Sequence, residues 1–207
     1  SNVVFNGTKA QNIPKGDYYV VTINKNVPDE VLVDEDGFGV DTPAVAGAAE
    51  EAEEDSDIAT LAGSIDVHSN LLINDGKLNT NASGNYTMTI TGDLDIAFGN
   101  SLTANASLIS VGDDFIKDGN FVYGTSTIRM TGSAGNITSS LTSFYDLDIA
   151  GTSVTADGSI VVHNDLTIES GKTLNGTSGK YIDVKSDLDW VGTFSSISGT
   201  TLKFTGT

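Results

Sequence analysis

Cysteine is missing from all 207 residues, which removes disulfides, thiolate metal sites and a cysteine nucleophile at once. Basic residues are scarce: 10 Lys and Arg stand against 28 Asp and Glu, and Arg129 is the single arginine. A net charge of -18 works against any polyanionic partner, so nucleic acid and anionic lipid surfaces are excluded as expectations. No apolar run approaches the roughly 18 residues that a membrane-spanning helix needs. No signal segment stands ahead of Ser1, so the sequence reads as a mature or trimmed form. Proline is also rare, at 3 residues, whereas 23 Gly and 38% apolar residues give enough material for a sizeable core.

What is present is repetition. Residues 63–96, GSIDVHSNLLINDGKLNTNASGNYTMTITGDLDI, align with 158–190, GSIVVHNDLTIESGKTLNGTSGKYIDVKSDLDW, across a single one-residue gap. A shorter copy begins at Gly99, and SFYDLDIAG at 143–151 matches DYYVVTINK at 17–25. Within each copy apolar residues alternate strictly: Ile65, Val67, Leu71 and Ile73 in one, Ile160, Val162, Leu166 and Ile168 in another. A period of two with polar partners predicts strands with one buried face.

An Asp or Asn recurs at the corner before the next strand, at Asn70, Asp93, Asp114, Asp165 and Asp187. Adjacent corners lie 23, 21 and 22 residues apart, and the remaining gap of 51 residues has room for two longer rungs. Short strands joined by Gly, Asn, Asp and Ser corners at this spacing predict an all-β, single-chain parallel β-solenoid, a β-helix of about eight coils rising ~4.8 Å each. No coil buries its apolar face alone, so stacking makes the core.

With strands such as FYDLDI and DLTIESGKTLNG, residues 1–26 and 63–207 resemble the β-solenoid repeats of large microbial cell-surface and adhesin-like proteins. That resemblance specifies the fold well and the function poorly; an extracellular, structural or adhesive role is the expectation, and with no catalytic motif in the sequence the chain is not expected to be an enzyme. Residues 2–8, NVVFNGT, match both TIRMTGS at 127–133 and TLKFTGT at 201–207, so the sequence starts and stops on one type of strand. Either it is an excerpt of a longer array, or subunits stack end to end through Val3 and Phe5 at one end and Leu202 and Phe204 at the other.

The whole chain is expected to form one solenoid domain with an acidic insertion over 27–62. Residues 29–57 hold 12 of the 28 acidic residues and no Lys or Arg. A cap at Thr42, Pro43 in the first turn and the run AVAGAAEEAEED predict a short helix there. Ahead of it, VDEDGFGVD places Asp34, Asp36 and Asp41 about a glycine turn, a donor set suited to Ca²⁺ although it departs from the EF-hand pattern. No motif requires a cofactor, and calcium is the one ion the sequence invites.

Stacked corner aspartates repel unless corner amides or cations meet them; Asp and Asn also suit tight turns on their own account. His68 and His163 hold the same repeat position, occupied elsewhere by Thr91, Gly112 and Lys185, and read as outward corner residues. Tyr19, Phe115, Tyr145 and Trp190 fall on the inward phase of their strands. Six sequons begin at Asn6, Asn81, Asn85, Asn105, Asn136 and Asn175, each a glycosylation candidate whose residues are equally common in turns. No motif singles out a catalytic carboxylate pair.

The functional expectation is a subunit of an extracellular filament or matrix fibre, a head-to-tail homopolymer. The alternatives are a stalk or adhesin fragment of a larger surface protein and a glycan-binding β-helix like those of phage tailspikes. Surface glycans are the remaining partner class.

Overall fold

The computed structural model describes residues 2–6, 10–25, 57–196 and 199–205. The expected calcium loop at Asp34, Asp36 and Asp41 and the helix after Thr42 lie outside the described residues. Among the described residues every regular element is a β-strand, and all ladders are parallel.

Twenty-six short strands wind round three faces in strict rotation. The first face is one sheet of nine strands: β1 (Asn2–Asn6), β4 (Val20–Asn24), β7 (Leu71–Asp75), β10 (Leu94–Ile96), β13 (Phe115–Lys117), β16 (Gly135–Thr138), β19 (Ser153–Ala156), β22 (Thr173–Gly176) and β25 (Thr193–Ser196). The third face is a sheet of eight: β3 (Gly16–Tyr18), β6 (Ile65–Val67), β9 (Met88–Ile90), β12 (Leu108–Val111), β15 (Thr127–Met130), β18 (Asp146–Ile149), β21 (Leu166–Ile168) and β24 (Leu188–Trp190).

The second face is broken into two sheets. One contains β2 (Gln11–Ile13), β5 (Ile58–Leu61), β8 (Lys77–Asn79), β11 (Ser101–Thr103) and β14 (Asn120–Val122). The other contains β17 (Leu141–Phe144), β20 (Ser159–Val162), β23 (Tyr181–Val184) and β26 (Thr201–Phe204). Phe115, Phe121 and Phe144 fill the core beside this seam, with ring centroids 5.3 to 5.9 Å apart. Ile58–Leu61, assigned on sequence to the insertion, belongs to the solenoid as β5, so the described coils resume ahead of residue 62.

The predicted alternation holds throughout the core. Ile65, Val67, Leu71, Ile73, Ile160, Val162, Leu166 and Ile168 are all at most 1% exposed. Each fully buried aliphatic side chain contributes about 1.5 to 3 kcal/mol relative to exposure, and in-register pairing lays like upon like, as Leu71 on Leu94 and Ile73 on Ile96. Such columns close only when several coils stack, which is why the repeat is the unit of sequence but not of stability.

The copies found in the sequence do not lie above one another. Residues 63–96 form β6 to β10, and their counterparts at 158–190 form β20 to β24. The first copy of GSI-V is therefore on the third face and the second copy on the second face. The same one-face displacement separates 17–25 (β3, β4) from 143–151 (β17, β18), and 99–119 (β11 to β13) from 171–190 (β22 to β24). The five corner residues consequently divide into two groups rather than forming one ladder. Asn70, Asp93 and Asp114 lie between the third and first faces, whereas Asp165 and Asp187 lie between the second and third. The 51-residue gap is thus not a whole number of coils.

Candidate functional site

Two features stand out on this scaffold: the carboxylate corners and the two open coils. At the corner between the third and first faces, backbone N–H groups of one coil reach the side chain of the coil before. Asp93 N–H donates to Asn70 Oδ1 (3.1 Å), Asp114 N–H to Asp93 Oδ1 (3.1 Å), and Asn136 N–H and Nδ2 to Asp114 Oδ1 (2.8 and 2.9 Å). Asn70 Nδ2 also donates to Asp93 Oδ2 at 3.0 Å. Corner amides therefore meet these carboxylates, as the turn chemistry of Asp and Asn requires.

Asp113 completes a group with Asp93 and Asp114 whose carboxylate oxygens lie within 4.8 Å of one another. Sequence reasoning named Asp93 and Asp114 but missed Asp113, because only the stacking of coils brings it beside Asp93. Burial first, then the charges of Asp114 and Asp93, pushes the Asp113 carboxyl above its ordinary range. Three carboxylates at this spacing match the oxygen preference of a hard divalent cation. Both Asp93 oxygens and Asp114 Oδ1 are, however, already engaged by corner amides, so the ladder by itself explains why these two acids stand together.

The second ladder is built differently. Asp146 Oδ1 accepts Asn164 Nδ2 (2.9 Å) and Asp165 N–H (3.1 Å). Asp165 then lies between Asp146 and Asp187, and burial together with these two charges raises its carboxyl. On the third face Arg129 pairs with Asp148 at 2.8 Å and with Glu169 at 2.6 Å, so the single arginine is committed within the solenoid.

His68 and His163 are both exposed corner residues, as the repeat position implied, and occupy different corners. The His163 ring stacks on Tyr123 at 5.0 Å. Of the four aromatic residues placed inward, Phe115 is fully buried, and Trp190 continues the column of Ile168 while remaining 48% exposed. Tyr145 is half-buried at a corner. Tyr19 is a correction: it is 57% exposed, because the chain turns there between β3 and β4 and the alternation is interrupted.

The sequons separate by geometry. Asn81, Asn105, Asn136 and Asn175 are half-buried, and each spends Nδ2 on a neighbouring coil, on Leu61 O, Asn79 Oδ1, Asp114 Oδ1 and Ser153 Oγ respectively. Asn6 and Asn85 are exposed.

The four residues expected to stack lie on the inward phase of β1 and β26. Val3 and Phe5 are half-buried on the inward side of β1, paired with Val21 and Ile23. Leu202 and Phe204 continue the columns of Ile182 and Val184, with Phe204 61% exposed. Around the same rim stand Trp190 and Val191, the latter 65% exposed, and Trp190 meets Phe194 edge-to-face at 6.2 Å. Among the described residues, the strands of each of these two coils are paired on one side only, over an apolar cross-section.

No protein-family model, curated protein or solved structure matches this chain. The fold alone defines its class, a parallel β-solenoid repeat protein. Among the described residues no helix is long and apolar enough to cross a membrane.

Proposed function

We propose that this chain is a structural protein of the cell exterior, the subunit of a filament or matrix fibre assembled by end-to-end stacking of solenoids. The observation that carries the reading is the pair of open coils, with Val3 and Phe5 on one rim and Leu188, Trp190, Leu202 and Phe204 on the other. Open strand edges over apolar columns are a ready template for another coil. The absence of cysteine, the acidic surface and the resemblance to microbial surface repeats support an exterior location and a structural rather than catalytic role.

Electron microscopy of the purified 207-residue chain, with calcium and with a chelator, tests this. Regular fibres with an axial repeat near 42 Å, from the 26 strands taken three to a coil at ~4.8 Å per coil, are expected. Substituting Val3→Asp and Phe5→Asp should abolish them, because the change buries charge at the junction while leaving the interior columns intact. Dispersed rods from the unsubstituted protein would overturn the filament and leave a stalk or glycan-binding solenoid.

A further inference from the structure

We infer that a second copy of this chain seats on the β24–β26 rim turned by one face about the solenoid axis, so that its β1 lies on β24, its β2 on β25 and its β3 on β26. This rests on the stacking reading above and specifies its interface.

The argument is one of steps. A solenoid rim is a ramp, not a flat ring, because one circuit of three strands climbs one coil. The upper ramp climbs from β24 on the third face through β25 on the first to β26 on the second, so its step lies between the second and third faces. The lower ramp begins at β1 on the first face and ends at β3 on the third, so its step lies between the third and first faces. Two such ramps close against each other only when their steps coincide, which requires a turn of one face.

If the copies instead stack with like faces aligned, β1 meets β25 and β2 meets β26, but β3 stands two coil spacings above β24. That leaves a hole one strand wide, about 9.6 Å from strand to strand. The third face would then keep two open edges and an uncovered Trp190, each backbone N–H and C=O in the hole losing its partner.

The chain itself supplies independent support, because its faces are already interchangeable by this operation. In each pair of internal copies a first-face strand reappears on the third face, a third-face strand on the second, and a second-face strand on the first: β7 as β21, β6 as β20, β8 as β22. NVVFNGT on β1 recurs on β15 and again on β26, moving in the same sense at each step. Docking β1 on the third face, β2 on the first and β3 on the second is the same mapping. The columns also continue: Val3 and Phe5 fall over Leu188 and Trp190, and Tyr18 over Phe204.

Because the chain has no cysteine, engineered pairs report the register directly. Asn2 and Val4 on β1, Asp189 on β24 and Ser195 on β25 are all exposed outward residues. In the turned junction Val4 lies over Asp189, whereas in the aligned one the first-face columns place Asn2 over Ser195. Under mild oxidation the Val4→Cys/Asp189→Cys protein should form a ladder of covalent multimers on non-reducing gels, and the Asn2→Cys/Ser195→Cys protein should remain monomeric. Helical reconstruction of the fibres should show successive subunits turned by a third of a revolution beyond the twist accumulated within each subunit. Fibres in which only the Asn2→Cys/Ser195→Cys pair cross-links would overturn the turned junction and leave the filament standing. An absence of both fibres and cross-links would overturn the filament and, with it, this interface.

Discussion

The two acidic corners of this solenoid solve one problem in different ways. Between the third and first faces, amide side chains bracket the carboxylates: Asn70 below Asp93, and Asn136 above Asp114, supply donors from neighbouring coils. Between the second and third faces, successive coils carry Asp146, Asp165 and Asp187, and Asn164 provides the side-chain amide to Asp146. The first corner thus directs two side-chain amides at its acids and the second one, while both rely on backbone N–H groups of the next coil.

The first corner is also the tighter one. A Cβ added to Gly132 would sit 1.6 Å from the Gly112 carbonyl oxygen, which is backbone and cannot swing aside. Gly132→Ala should therefore cost on the order of 3 kcal/mol, the upper part of the overpacking range, measured as a drop in the urea midpoint. Next in size, Asp114→Ala removes the acceptor of both Asn136 bonds and should cost about 2 kcal/mol, as expected for hydrogen bonds to a charged group. Asp146→Ala removes an acceptor of three donors, Asn164 Nδ2, Asp165 N–H and Thr127 Oγ1, and relieves charge beside Asp165 as Asp114→Ala does beside Asp113, so its cost should be similar, about 2 kcal/mol. A cost for one variant at least twice that of the other in matched denaturant titrations would sharpen the distinction between the corners into an energetic one.

The smallest effect has the opposite sign. Asp165→Asn should stabilise the protein at neutral pH by about 0.5 kcal/mol, the scale of a like-charge cross-strand pair. Because burial and neighbouring charges raise the Asp165 carboxyl, the folded chain holds its proton to higher pH than the unfolded chain does. Its ionisation therefore destabilises the fold as pH rises through that window, and lowering the pH into the carboxylate range should restore stability. Asp95, Asp113 and Asp148 are raised as well and act in the same direction, each chiefly through burial. Asp183 opposes them: hydrogen bonds from Lys185 and Thr205 hold its carboxyl down, so its contribution is lost only in stronger acid. Melting temperature should thus climb from pH 7 towards the ordinary carboxylate range and then fall, and the climb should be shallower in Asp165→Asn.

Much of this fold was legible because the period-two pattern reports which side of a strand is buried. Ile65, Val67, Ile160 and Val162 announced their burial directly. The pattern does not report which face a strand occupies, since a strand on any of the three faces alternates in the same way. Hence the corner at Asp165 was indistinguishable from the corner at Asp114, and the one-face shift between copies emerged only from the pairing of strands. Asp113 was hidden for a related reason, as its neighbour Asp93 is a coil away. Tyr19 was misplaced because alternation was carried through a turn. The open-coil residues Val3, Phe5, Leu202 and Phe204 were legible in phase, because inward phase needs only the strand itself.

The seam on the second face bears on how such a rod would carry load. Elsewhere each coil is joined to the next by three hydrogen-bonded ladders; among the described residues no ladder links β14 to β17, and that level is held by two ladders, the packing of Phe144 on Phe115 and Phe121, and the Lys117 Nζ bond to Leu141 O. Pulled along its axis, the rod should part there first, at a lower force than any other level. A single-molecule extension trace would then show an early yield as the coils ending at β14 part from those beginning at β17, which makes the seam a mechanical fuse set within an otherwise uniform spring.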